Sequence, residues 1–193
     1  DNGSTDGSIA MLRAHPKVEV RPFPWAHPDS FIQSLKRLHN EVWKESRGHA
    51  DWVVITALDE HLQAAGRDNG EYLEASRRAG VTLIPAIGFQ MISEEFPVEG
   101  EWLARKRTFG APWKDMNKLS ILDPNAIKET GFGRGRHAAK ATGILRLPDR
   151  DEMMLLHYKF MGFEHTVKRH SELRGGLRTR DIAENRAPMY KLN

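Results

Sequence analysis

The stretch that most constrains this chain is Asp51-Trp52-Val53-Val54-Ile55-Thr56-Ala57-Leu58, an almost unbroken apolar run after its first residue, halted at once by Asp59-Glu60-His61. A run of this kind, without polar alternation, predicts a strand covered on both faces in a parallel sheet. The chain around it alternates between two periods. Residues 18–21 (VEVR) form a short β-branched run ended by Pro22 and Pro24 and predict a strand. Between Pro28 and Arg47, the residues Phe31, Leu35, Leu38 and Val42 recur at helical spacing on one face, with Lys44, Arg47 and Gly48 at the end. A helix over residues 71–78, stopped by Gly80, precedes a strand at 81–86 that Pro85 interrupts. This order predicts a doubly wound α/β domain: three layers, with a mostly parallel sheet flanked by helices.

Beyond residue 90 the alternation weakens. Residues 101–118 mix Trp, Arg, Lys, Gly and Pro and predict a long surface loop with a short helix. Residues 118–122 and 153–158 predict strands, and 163–173 and 178–185 predict helices. No linker divides the chain, so residues 1–193 are expected to form one domain. The absence of cysteine excludes a disulfide scaffold and a cysteine zinc site. With 29 Lys and Arg against 26 Asp and Glu, the net charge is only +3, which argues against nucleic acid as the partner. A nucleic-acid binder using Arg134, Arg136 and the basic C-terminal helices stays a minor reading, and it predicts steeply salt-dependent binding. The longest apolar runs fall far short of the roughly 20 residues that span a bilayer.

In an open α/β sheet, ligands bind beyond the carboxyl ends of strands, which is where Asp59 and Glu60 are expected. A carboxylate there either holds Mg or Mn through oxygen or caps the helix that follows. The opening Asp1-Asn2-Gly3-Ser4-Thr5-Asp6-Gly7-Ser8 is dense in turn formers. It reads as a loop leading into a helix near Ser8, or as a turn whose Asp and Asn oxygens accept hydrogen bonds from a base or ribose. His157 closes a buried apolar run and is expected at a strand edge, where a core histidine and a metal ligand are both open readings. His137, after Gly131, Gly133 and Gly135, is a second candidate or an exposed loop histidine. Trp43 and Trp52 are assigned to the core.

The turn DNGSTDGS, followed by an apolar strand closing in LDEHL, resembles the family 2 glycosyltransferases, enzymes of the nucleotide-sugar-binding GT-A fold type. In that family a D-N-x-S-x-D-G turn follows the second strand, and a strand ending in D-x-D-E carries the metal and nucleotide contacts. The resemblance continues through Gly88-Phe89-Gln90-Met91, Asn117-Lys118, Gly135-Arg136-His137 and Leu155-Leu156-His157-Tyr158-Lys159, and ends near Tyr190. It implies transfer of a sugar from a nucleoside-diphosphate sugar to a hydroxyl of a carbohydrate or lipid-linked acceptor, with Mn or Mg as cofactor. Residues 1–90 would be the nucleotide-binding half and 91–193 the acceptor and diphosphate half.

The resemblance also implies roles residue by residue. Asp1, Asn2 and Asp6 would shape the nucleotide site, Asp59 would bind the metal, and His157 would complete the metal shell. Of the cations after His157 (Lys159, Lys168, Arg169, Arg174, Arg178 and Arg180), which otherwise read as a solvated helix face, Lys159 is chosen to steady the diphosphate. It lies two residues from His157 and so shares its strand face. A base for the acceptor hydroxyl is sought among Glu94, Glu95 and Asp115, all of which also read as surface acids. Asp115 is chosen because Trp113 beside it could stack on a sugar. Ala57 stands where the family has the first Asp of D-x-D, and it can neither accept from a ribose nor hold a metal. That departure supports a second class of function, a catalytically degenerate transferase-like module that binds sugar or nucleotide without turnover.

In the family, the turn at residues 1–8 follows a first strand, a helix and a second strand. The resemblance therefore implies that a βαβ-sized piece of about 30 residues belongs before Asp1. Without it, an interior strand edge would stand open or be filled by a second copy in a homodimer. A donor made in the cytosol implies the cytoplasm or the inner face of the membrane, with peripheral membrane contact for a lipid-linked acceptor.

Overall fold

Single side chains start the two best-formed helices. Ser30 accepts from the Gln33 amide at 3.0 Å and opens α2 (Phe31–Glu41), following a short α1 (Ser8–Arg13). A 3₁₀ turn, Val42–Ser46, continues α2 and carries Trp43 into the interior. The chain then forms β1 (Val53–Val54) and β2 (Glu60–Ala64). Asp68 accepts from the amides of Gly70 and Glu71 and opens α3 (Asn69–Arg78), which Gly80 ends in the left-handed conformation, φ 74°. The remaining elements are β3 (Leu83–Ser93), α4 (Leu103–Lys106), β4 (Gly110–Pro112), β5 (Lys118–Leu122), β6 (Ile127–Glu129), β7 (Thr142–Gly143), β8 (Met153–Met161), α5 (Phe163–Gly175) and α6 (Thr179–Ala183). This computed structural model describes residues 1–185, so Tyr190, near which the family resemblance ends, lies outside the described residues.

The protein is mixed α/β, with one main sheet in the order β1-β5-β3-β8-β2; β4 adds to β3, and β6 and β7 form a separate pair. The expectation of a mostly parallel sheet is corrected: β3 and β8 are parallel, and the other pairs are antiparallel. After β3 the chain returns through β4 and β5 along the same edge of β3, and a return of that kind is antiparallel. Alternation along the central strands then feeds both faces of the sheet. Ile84, Ile121, Leu155 and Met153 pack with Tyr72 of α3, while Leu83, Leu122 and Ile55 pack with Trp43, Ile127 and Phe132. Met91, Leu156, Tyr158 and Met161 form a third cluster.

Three local expectations fail for identifiable reasons. Residues 18–21 form no strand; Pro22 and Pro24 remove two donors next to them, and the Phe23 amide bonds the Asp1 carbonyl instead, at 2.6 Å. The run 52–58 contributes only the two-residue edge strand β1, and Val54 is half exposed, so it is not covered on both faces. Pro85 does not end the strand at 81–86. The β3–β5 register shifts between Ile84 and Pro85, which takes the missing donor out of the ladder and lets β3 run to Ser93. Among the described residues no helix is long and apolar enough to cross a membrane.

The fully buried Asp181 links the end of the chain to α2. Its carboxylate accepts from Ser30 Oγ at 2.5 Å, the Phe31 amide at 2.8 Å and the Arg178 amide at 3.2 Å, so it serves the first turns of α2 and α6 together. Asp181→Ala leaves the buried Ser30 hydroxyl and two partly buried amides without this acceptor. It should lower stability by about 2 kcal/mol and Tm by about 5 °C in a thermal melt.

Candidate functional site

The site is built where the chain passes from one edge of the sheet to the other. After β1, the Ile55 amide bonds the Ser120 carbonyl at 2.8 Å; residues 56–59 then cross the sheet end, and β2 starts at Glu60. The Asp59 carbonyl accepts from the Tyr158 amide at 2.8 Å, which anchors the far side of the crossing. Asp59 precedes a strand, so the reading of it as a helix cap is corrected. The strand period turns its neighbour the other way: the Asp59 side chain is 44% exposed, whereas that of Glu60 is 4% exposed.

Asp59 Oδ2 lies 3.3 Å from His157 Nε2. His157 sits mid-strand in β8, paired to Glu60 on one side and Gln90 on the other, so the strand-edge expectation is corrected. The network around Gln90 assigns the histidine tautomer. Gln90 Nε2 donates to the carbonyls of His157 (2.9 Å) and Met91 (3.2 Å), which leaves its Oε1 facing His157 Nδ1 at 2.8 Å. Nδ1 must therefore carry a hydrogen, and Nε2 turns its remaining position toward the Asp59 carboxylate. A lone pair facing a carboxylate at this distance is repulsive. The contact is attractive only with a positive charge between the two groups. Burial would raise the Asp59 carboxyl, but the hydrogen bond and charge of His157 outweigh it and hold the group below its ordinary value.

Beneath this pair lies a buried ionic cluster. Glu60 Oε1 accepts from Lys118 Nζ at 2.6 Å, and Oε2 accepts from Arg136 Nη2 and from the Ala57 amide. Arg136 also donates to the Ile55 carbonyl at 2.6 Å. Burial opposes ionisation of Glu60, yet the charges of Arg136 and Lys118 pull its carboxyl below the ordinary value. Burial lowers Lys118 despite Glu60, and lowers Lys159 despite the nearby Asp59 charge. Three cations thus surround two carboxylates, a positive excess suited to an anionic ligand. His39 of α2 adjoins the cluster. Burial pushes its imidazole from 6.5 down to about 4, with Arg136 and Lys118 acting in the same direction and Glu60 against them.

Asp115 is held by β3 rather than by a free loop. β4 pairs with Phe89–Met91 and β5 with Leu83–Ala86 on the same edge, and the intervening 3₁₀ turn, Lys114–Met116, bulges out opposite Gly88. The Trp113 amide bonds the Gly88 carbonyl at 2.9 Å, and the Gly88 amide bonds Asn117 Oδ1 at 2.8 Å. His137 Nδ1 contacts the Asp115 carbonyl and so braces the turn from the other side. Asp115 is exposed, and Trp113 beside it is half exposed. The Asp59–His157 pair and the Asp115 turn therefore share one neighbourhood, joined through Lys118, Arg136 and His137.

The N-terminal turn belongs to a different surface. Asp1 accepts from the amides of Gly3 and Ser4, and Asp6 from Ser8, while Asn2 is exposed. Asp1 borders an open cleft of about 1460 Å³ with Arg21, Phe23, Trp25 and Arg37, whose lining includes neither Asp59 nor His157. Gln90 and Lys118 lie within stretches that carry the family resemblance but have no role assigned by it; Arg136, expected to face nucleic acid in the minor reading, and Glu60, expected with Asp59 at the ligand-binding strand end, instead pair with each other in the interior. Lys118 and Glu60 open strands as charged residues ahead of apolar ones, the one local sign that each is held by a counter-charge. No family model and no curated protein matches the chain.

Two outcomes follow from this geometry. Folded His39 is neutral down to about pH 4, whereas the unfolded side chain protonates below 6.5, so stability is lost as pH falls from 6.5 toward 4. His39→Leu should remove on the order of 1–2 kcal/mol of that loss in urea melts across this window; the depressed Asp59 and Glu60 act in the same direction, mainly at lower pH. A Cβ at Gly88 would overlap Met116 backbone and side chain. Gly88→Ala should cost about 2 kcal/mol and displace the amide resonances of residues 113–117.

Proposed function

We propose that this protein is a metal-dependent glycosyltransferase of the family 2 type that uses a nucleoside-diphosphate sugar. The observation that carries this reading is the Asp59–His157 pair, whose imidazole is oriented by Gln90 so that Nε2 faces the Asp59 carboxylate at 3.3 Å. Among the described residues no third His, Cys, Asp or Glu joins the pair as a metal-holding group. An Mn or Mg ion would be held there by the Asp59 carboxylate and His157 Nε2. When bound, such a cation neutralises charge on the diphosphate.

The chain's own groups supply the rest. Lys159, close enough to Asp59 to feel its charge, steadies the diphosphate as its bond to the anomeric carbon breaks. The buried excess of positive charge from Lys118 and Arg136 favours the same leaving group. The acceptor hydroxyl oxygen bonds the anomeric carbon, and its proton passes to the Asp115 carboxylate on the braced turn. Trp113 offers a ring for the apolar face of a sugar. The Asp1 turn, with Phe23 and Trp25 in the adjoining cleft, lies on a separate surface, so the nucleoside attached to a diphosphate at Asp59 is not assigned to it. A carbohydrate or lipid-linked hydroxyl is the acceptor.

Ala57 supports a second reading, a degenerate binding module. Its backbone amide serves Glu60, and its side chain is exposed, so position 57 has room for a carboxylate and lacks one. Calorimetric titration with UDP and GDP, with and without Mn²⁺, tests the first reading. Metal-dependent binding is expected, weakened at least tenfold in Asp59→Asn; unchanged affinity in that variant would remove Asp59 from the metal site. A gain of sugar transfer in Ala57→Asp over an inactive parent would favour the degenerate module.

A further inference from the structure

We propose that Arg136, with Glu60 as its counter-charge, is the positioning residue that makes the Asp59 crossing and the Asp115 turn one rigid unit. This rests on the glycosyltransferase reading for the meaning of those two carboxylates. Its geometric part stands without that reading.

Arg136 is 2% exposed, and its guanidinium joins the two ends of the crossing: one nitrogen donates to the Ile55 carbonyl at 2.6 Å and another to Glu60. The segment between those anchors is the one that presents Asp59. Glu60 has both oxygens occupied and is turned inward, so it does not reach a ligand in front of Asp59. Its Oε1 instead accepts from Lys118, the first residue of β5, just after the turn that carries Asp115. Arg136 is followed by His137, which touches the Asp115 carbonyl. One carboxylate therefore gathers three segments: 55–60, 114–118 and 134–137.

The backbone of Arg136 points the same way. Gly135 and Arg136 both adopt left-handed φ, 58° and 60°, a conformation that a non-glycine residue holds only when its surroundings impose it. The two consecutive left-handed residues direct the guanidinium inward and leave His137 facing the Asp115 turn. Buried ion clusters of this type add little net stability compared with apolar packing, while they fix geometry tightly. A planar fork with separate donors is what spans a carbonyl and a carboxylate at once; an ammonium has one nitrogen for both.

The test compares the parent with Arg136→Lys, which preserves the charge that Glu60 needs but lacks the planar fork that holds the carbonyl and the carboxylate on separate nitrogens. A second variant, Arg136→Met, removes the fork and leaves Glu60 paired one-to-one with Lys118, so no buried ion is unpaired if the lysine variant fails to fold. Backbone hydrogen exchange is measured on the full chain without ligand, and Mn²⁺ affinity is measured by calorimetry and by the Mn²⁺ paramagnetic resonance signal. Exchange should accelerate at least tenfold both at Ala57 and Glu60 and at Met116 and Asn117, with α3 unchanged. Mn²⁺ affinity should fall about tenfold with Tm within a few degrees of the parent. Faster exchange confined to residues 55–60, or an unchanged Mn²⁺ affinity in a variant that has lost the Ile55 contact, overturns the positioning role. A parent that binds no Mn²⁺ overturns the metal-dependent reading instead, and the exchange pattern at residues 116 and 117 still decides the coupling.

Discussion

A carboxylate taken out of water must find both charge and hydrogen bonds, and Glu60 finds them in Lys118 and Arg136, 58 and 76 residues further along the chain. That requirement organises the end of the sheet. Lys118 opens β5, Arg136 lies in the glycine-rich loop after β6, and the residue before Glu60 is the exposed Asp59. The buried charge balance joins these three segments through their side chains, alongside the backbone bonds of Ile55 to Ser120 and Trp113 to Gly88 and the contact of His137 with Asp115. An uncompensated ion at any of the three positions would be far more disruptive than the loss of one surface pair.

A second constraint comes from Gln90. Its amide donates to two backbone carbonyls, so its oxygen has one orientation, and the tautomer of His157 is decided two strands away from Asp59. The row Glu60, His157 and Gln90 runs across β2, β8 and β3 in register. Strand pairing thus serves chemistry as well as stability: it sets one histidine nitrogen as donor and turns the other toward the carboxylate. The antiparallel return of β4 and β5 along β3 has a similar effect, because it places the Asp115 turn opposite Gly88, where the backbones approach too closely for any side chain.

The electrostatic balance gives these pieces a common direction. Lys118, Arg136 and Lys159 exceed Asp59 and Glu60 by one charge, and His39 beside them is kept neutral. A local excess of positive charge of this kind favours an anion over a cation. The N-terminal turn and its aromatic cleft form a separate surface, bordered by Asp1, Phe23 and Trp25.

The sequence alone determined the local elements with strong internal signals. The amphipathic period from Phe31 to Leu38, the helix ended by Gly80, and the apolar runs at residues 118–122 and 153–158 all form close to where their patterns place them. It also located Asp59 where an apolar run stops. What only the tertiary structure decided was everything that depends on a distant partner. Strand direction, the reduction of residues 52–58 to a short edge strand, and the passage of β3 through Pro85 follow from which strand lies alongside. The roles of Glu60, Gln90, Lys118 and Arg136 are of the same kind. Periodicity reports which face of an element is apolar, whereas a buried charge is defined by its counter-charge, and here the counter-charges arrive from the other side of the sheet.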